Sequence, residues 1–317
     1  MQVLAYSGGA WRQSGELAPE AARDLAWGPT LVWIRLEGLA EGRLESLASV
    51  FNLHPLAIED VRNHRQRPKV EDYENLTFVV ARAPRWNEAE GELSWLTVGI
   101  FLGPDFIITA CTDHVAELDA VEKRLTAGPG TKQANVDQVF YHVLDSIVDA
   151  YFPIMDNLED RIEALEEGVV DGAERQELER IRDFKRMVSR ARKTIYPMRE
   201  AMVSIERGDH PNVRRPTRLY LRDVADHTTR LAERLEHVNE LAVLTQETWN
   251  ATLANQTNRI VKFLTGITFV LTIPMLVWTL FGINSPGQPN IPWWSVTVGA
   301  IALTVPAWLF ARRKDWL

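Results

Sequence analysis

Apolar residues are spread unevenly along this chain of 317 residues, and their spacing changes in kind from one end to the other. Short branched runs dominate the first 130 residues. Leu31 to Leu36, Leu76 to Ala83, Trp95 to Leu102 and Phe106 to Ala110 have the length and side chains of buried strands. Between them, Arg43 to Val50 and Pro55 to Val61 suit short helices, the second tolerating proline in its first turn. Asp113 is placed to cap a further helix through Leu125, which Gly128-Pro129-Gly130 ends. Residues 1–130 are therefore expected to form a mixed α/β domain.

From 131 to 216 the pattern is helical, with a break near Glu167 to Gly172 and a loop at Gly208 to Pro216. Beyond Thr217 no glycine occurs until Gly266 and no proline until Pro274. Leu231, Leu235, Val238 and Leu241 recur at three- and four-residue steps, the seam of a long helix. A helix over 217–281 would measure about 98 Å and would need copies of itself to pack against.

Near Ile260 the periodicity gives way to continuous apolarity. Ile260 to Phe281 is 22 residues long with Lys262 as its single charge. Its length of about 33 Å matches a hydrocarbon core of about 30 Å. Ile291 to Phe310 adds 20 uncharged residues, with Trp293 and Trp294 at one end and Trp308 near the other, where indoles favour the interface. The prediction is a stalk over 217–281 that runs into a first membrane helix. A short outer loop over 282–292 and a second membrane helix with its tail over 293–317 complete the chain.

Charge sharpens this division. The first 259 residues hold 31 of 35 Lys and Arg and 42 of 43 Asp and Glu, a formal charge of −11. Such a domain attracts cations and repels phosphate backbones, so no nucleic-acid partner is expected. Residues 134–179 carry 13 acids and two bases, whereas 180–199 carry eight bases and one acid; an antiparallel hairpin would set these arms together. The start of the chain lacks a basic and apolar leader, so the charged part is expected in the cytoplasm. Arg259, Lys262, Arg312, Arg313 and Lys314 flank the two spans while the connecting loop has no base. The positive-inside rule then places both termini in the cytoplasm of a cell whose inner membrane the chain crosses twice.

The first span has a polar stripe. Asn258, Val261, Thr265, Thr268, Thr272, Met275 and Thr279 follow steps of three and four, so they share one helix face. Threonine can return its proton to the backbone, which leaves a helix-packing surface open as a reading. A water-lined face is the alternative, and it requires several subunits around an axis. Neutral oxygens suit an ion that keeps its water, as magnesium does. A divalent ion entering an inside-negative cell gains about 4.6 kcal/mol per 100 mV. No phosphate-binding glycine loop is present, and no nucleotide is required. No nucleophile–base set or cofactor fingerprint points to an enzyme. The lone Cys111, after an apolar run, reads as a buried strand-end thiol, and His54 beside Pro55 as a structural turn residue. Asp223 by itself reads as a surface acid, with His227 four residues on along the same face.

Phe281-Gly282-Ile283-Asn284, directly after the first span, resembles the Gly-Met-Asn signature of the CorA family of magnesium and cobalt channels. Leu53 to Asp60 followed by Arg67 to Tyr73 resembles that family's N-terminal signature, and Leu221 to His227 the start of its stalk. The resemblance implies a funnel-shaped homopentamer that carries a hydrated divalent cation, Mg2+ first and Co2+ second, with no bound cofactor. It implies that Gly282 turns the backbone, that the Asn284 amide oxygen meets the ion at the outer mouth, and that Asn258 forms the inner polar ring. Thr272 and Met275 would line the narrow middle, and Thr279 the outer part. Asp223 would belong to a regulatory metal site between subunits, with His227 beside it. Lys262, Arg312, Arg313 and Lys314 would form a basic ring at the cytoplasmic end. Ile283 departs from the family methionine, as in the zinc-transporting ZntB branch, and the loop after Asn284 has no acid, so Zn2+ is the alternative cargo. A membrane-anchored scaffold or sensor is the reading from another class; it has no use for the threonine stripe.

Overall fold

The computed structural model describes residues 1–28, 30–39, 42–63, 65–74, 76–127, 135–172, 175–282, 292–314 and 316. These form two compact units, residues 1–164 with 180–243, and residues 165–179 with 244–317.

The first unit is built on seven strands: β1 (Gln2–Ser7), β2 (Ala10–Gly15), β3 (Leu31–Glu37), β4 (Lys69–Tyr73), β5 (Leu76–Asn87), β6 (Glu92–Leu102) and β7 (Phe106–Cys111). Their order is β2-β1-β3-β7-β6-β5-β4, and only β3 and β7 run parallel. One face is covered by α1 (Pro19–Ala26), α2 (Arg43–Phe51) and α3 (Pro55–Arg62). There Val32, Ile34 and Leu36 of β3 share a cluster with Ala22, Leu44, Leu47, Ala57 and Val61. The approach of α3 to β6 is close enough that a Cβ on Gly99 would overlap the Val61 side chain. The other face receives α4 (Ala116–Ala127) and α5 (Val136–Asp149).

Alternation along β3 sends Trp33 and Arg35 toward this second layer. The Trp33 indole donates to Thr109 Oγ1 at 3.1 Å. Arg35, only 2% exposed, donates to Glu37 Oε1 and Asp119 Oδ1 at 2.6 Å each and also to Glu122. Burial alone would lower the Arg35 pKa, but the bonds to Asp119 and Glu37 and their charges raise it overall. His114, at the β7–α4 junction, sits between the same acids, Nδ1 3.0 Å from Glu37 Oε2 and Nε2 3.3 Å from Asp119 Oδ2. Hydrogen bonding to Glu37, then the charges of Glu37 and Asp119, raise its pKa.

All four expected strands and both short helices are present, with β5 extending to Asn87. Three strands, β1, β2 and β4, and helix α1 were not foreseen. Asp113 does not cap α4: its carboxylate accepts from the His114 backbone N–H, and the helix starts at Ala116. His54 caps α3, its Nδ1 accepting from the Leu56 N–H, and its ring stacks on Tyr73 at 4.3 Å. Cys111 is buried, and burial, followed by the charge of Glu37, pushes its thiol up to about 12.

Helices α6 (Phe152–Asp171), α7 (Arg175–Arg207) and α8 (Arg215–Gly282) follow; α6 continues through Glu167 to Asp171, where a break was expected, and only Gly172 of that stretch lies outside it. Arg215 and Pro216, expected in the loop, open α8 instead, since proline lacks only an N–H that has no partner in a first turn. The Thr217 hydroxyl donates to the buried Asp137 Oδ2 at 2.6 Å, which also accepts from the Arg214 N–H. Among the described residues, the ion pairs that link these helices run from each arm to α8 rather than directly from arm to arm. Arg234 of α8 takes Asp156 and Glu159 of α6, and Arg192 and Tyr196 of α7 reach Glu236 of α8.

The second unit holds the apolar part of α8 and α9 (Trp293–Arg313). Both helices are long and apolar enough to span a bilayer, with mean hydropathy 2.1 and 1.6 in their most apolar windows. Only 6% and 17% of those windows is buried, so they are not core helices of a water-soluble fold. Phe269 meets Trp316 edge-on at 6.4 Å, which brings the segment just after α9 beside the middle of the apolar part of α8.

Candidate ion path and cation site

On the apolar part of α8, Gly266 is buried and Ile267, Val270, Ile273, Pro274 and Val277 are half-buried. At 100° per residue these positions centre on one side of the helix, and the stripe from Val261 to Thr279 centres on the opposite side. Thr265, Thr268, Met275 and Thr279 are exposed there, Val261 and Asn258 likewise, and Thr272 is half-buried. Among these residues, therefore, α9 does not account for the polar face. Thr265, Thr268, Thr272 and Thr279 donate to the carbonyls of Val261, Leu264, Thr268 and Met275 at 2.7, 2.8, 2.7 and 2.7 Å. With its proton bound to the backbone, each hydroxyl offers lone pairs outward. The face accepts hydrogen bonds and so suits the protons of an ion's hydration water. Gly282 is the last residue of α8; Ile283 and Asn284 lie outside the described residues. Lys262, Arg312, Arg313 and Lys314 are exposed, with the Arg312 guanidinium 5.4 Å over the Trp308 ring.

Asp223 and His227 lie one turn apart on α8, the imidazole Nε2 3.6 Å from Asp223 Oδ2. Facing them, α5 presents Tyr141, Asp145 and Asp149 at four-residue steps. His227 Nδ1 is 3.3 Å from Asp149 Oδ1, yet it is buried and makes no hydrogen bond. Asp145, Asp149 and His227 bring one ligand atom each within 4.8 Å of one another. Asp145 is buried, and burial followed by repulsion from Asp149 raises its pKa; Arg124 and His227 oppose the shift, and Asp223 adds to it. An orphaned imidazole nitrogen beside the carboxylates of Asp145, Asp149 and Asp223 is a donor set that could hold a divalent cation. Asp145 and Asp149 escaped the sequence reading. Their four-residue spacing on one face of an amphipathic helix was the available signal.

The family model described as "CorA-like Mg2+ transporter protein" matches residues 29–313. The chain belongs to the CorA family. As a member of this family of divalent-cation transporters it is a transport protein, not an enzyme. It is 28% identical over 325 residues to the cobalt/magnesium transport protein CorA of Thermotoga maritima, covering 100% of this chain and 92% of that one. It has the fold of the complete CorA magnesium transporter from Methanocaldococcus jannaschii, with TM-score 0.81, 21% identity, and coverage of 100% and 99%. The cytoplasmic domain of ZntB from Vibrio parahaemolyticus matches 80% of this chain and 98% of its own at TM-score 0.64 and 13% identity. The CorA architecture is thus shared with the ZntB branch, and fold alone does not choose the cargo.

Proposed function

We propose that this CorA-family chain is one subunit of a homopentameric, funnel-shaped channel. It carries hydrated Mg2+, and Co2+ in second place, into the cytoplasm down the membrane potential. The observation that carries the reading is the threonine face of α8, set opposite the side that is covered within the chain. Facing lipid, this face would expose polar oxygens for no gain; around a five-fold axis it lines a pore. Asn258, Val261, Thr265, Thr268, Thr272, Met275 and Thr279 line that path, and Gly282, Ile283 and Asn284 form its outer mouth. Lys262 and Arg312 to Lys314 ring the cytoplasmic end, both termini being cytoplasmic. Residues 1–130, 131–216 and the stalk part of 217–281 form the cytoplasmic funnel. Residues 282–292 form the outer loop, and 293–317 the outer helix with its tail.

Asp223 and His227, with Asp145 and Asp149, bind intracellular cation and hold the closed state, the site lying at a subunit boundary. Ile283 in place of methionine and the imidazole among the acids favour a second reading, Zn2+ as cargo, since imidazole suits zinc better than magnesium. Substitution Asn284→Ala tests the transport reading. Mg2+ flux in liposomes is expected to fall at least tenfold with the oligomer intact, and unchanged flux removes Asn284 from the ion path.

A further inference from the structure

The cation site has a neighbour that neither the family resemblance nor the acid spacing brings in. Arg124, in the last turn of α4, extends across α5 so that its Nη1 lies 3.6 Å from Asp145 Oδ2 and 3.4 Å from His142 Nδ1. Its side chain is 58% exposed while that of Asp145 is only 10% exposed. The guanidinium therefore reaches from solvent onto a buried acid and can swing away without opening the core. Burial and the neighbouring Arg124 charge lower the pKa of His142, so the imidazole is suited to accept from Arg124 as a neutral base.

Asp145, Asp149 and Asp223 set three carboxylates around the site, and Arg124 sets one guanidinium against the buried one of them. A divalent ion at Asp145 is repelled by the guanidinium already there, so the two cations compete for the same carboxylate.

We propose that Arg124 is a tethered counter-cation of this site. It holds Asp145 while no divalent ion is bound, and it sets the concentration at which the site fills. The proposal rests on the reading of Asp145, Asp149, Asp223 and His227 as a divalent-cation site. Arg124 is a positioning residue in this scheme: it tunes affinity by charge and touches the ion's ligand, not the ion.

The test is Mg2+-dependent protection of the full-length protein from proteolysis, titrated in detergent for a graded series at position 124. Arg124→Lys is expected to stay within about twofold of the parent midpoint. Arg124→Gln is expected to lower the midpoint about fivefold, and Arg124→Glu to lower it further. A merely structural role would raise the midpoint for Gln and Glu alike, and that order, or no change, overturns the proposal. Asp145→Asn in the same assay separates this from failure of the site itself. Loss of protection in Asp145→Asn with an unmoved Arg124→Gln overturns the role of Arg124 alone. Full protection in Asp145→Asn overturns the site reading and the proposal with it.

Discussion

Thr272→Val isolates what one ring of hydroxyls contributes to conduction. Valine keeps the shape of threonine and removes one oxygen. In the folded chain that oxygen donates to the Thr268 carbonyl at 2.7 Å, and this carbonyl also belongs to the backbone ladder. The substitution therefore costs the helix little, about 0.5 kcal/mol or less, and the oligomer should persist. In the proposed pentamer its effect on transport is larger, because five copies change together. If each hydroxyl lends about 0.5 kcal/mol to the water around a passing ion, the ring lends about 2.5 kcal/mol. At about 1.4 kcal/mol per factor of ten, Mg2+ flux should fall roughly 60-fold. The assay is uptake into liposomes read with an internal magnesium indicator, with Thr272→Ser as control because it restores the oxygen. Flux of Thr272→Val within about twofold of the parent, in intact oligomers, would refute the water-lined face and return it to helix packing.

Two further outcomes concern the cytoplasmic unit. Arg35→Met removes the guanidinium that three carboxylates share, and should lower stability by about 3 kcal/mol in chemical denaturation; a loss under about 1 kcal/mol would show the network to be solvent-screened. His114 has a raised pKa in the folded state, so its contribution is fully present below its unfolded value of about 6.5 and is lost as pH rises through the folded value. His114→Gln should accordingly melt below the parent under mildly acidic conditions and converge with it above neutrality. A gap that widens with rising pH would contradict the clamp between Glu37 and Asp119.

The parts of this protein that were legible in its sequence are those where one force dominates. The two spans stand out because lipid requires about 20 apolar residues, and no other helix among the described residues supplies that. Strands β3, β5, β6 and β7 were readable because burial on both faces makes them branched and apolar. Edge strands escape that rule. β4, Lys69-Val70-Glu71-Asp72-Tyr73, pairs only with β5, and β2 pairs only with β1, so polar residues are tolerated in both. Asp113 misled because a cap depends on where the chain turns: its carboxylate accepts from the adjacent His114 N–H, and the helix begins only at Ala116. The face of α8 could be listed from spacing, but its relation to the covered side of the helix needed coordinates. Asp223 and His227 were found from the family motif, whereas Asp145 and Asp149 looked like the solvated acids of an amphipathic helix. Only the docking of α5 against α8 brings both beside His227, with Asp145 buried and Asp149 left exposed.

The central claim is that the membrane potential alone drives a divalent cation through this oligomer. Purified protein in liposomes, with Mg2+, Co2+ or Zn2+ outside and an imposed inside-negative potential, tests it without any substitution. The account predicts Mg2+ entry with no nucleotide present, rising steeply as the potential becomes more negative. Folded oligomers that pass none of the three ions at any potential would contradict it.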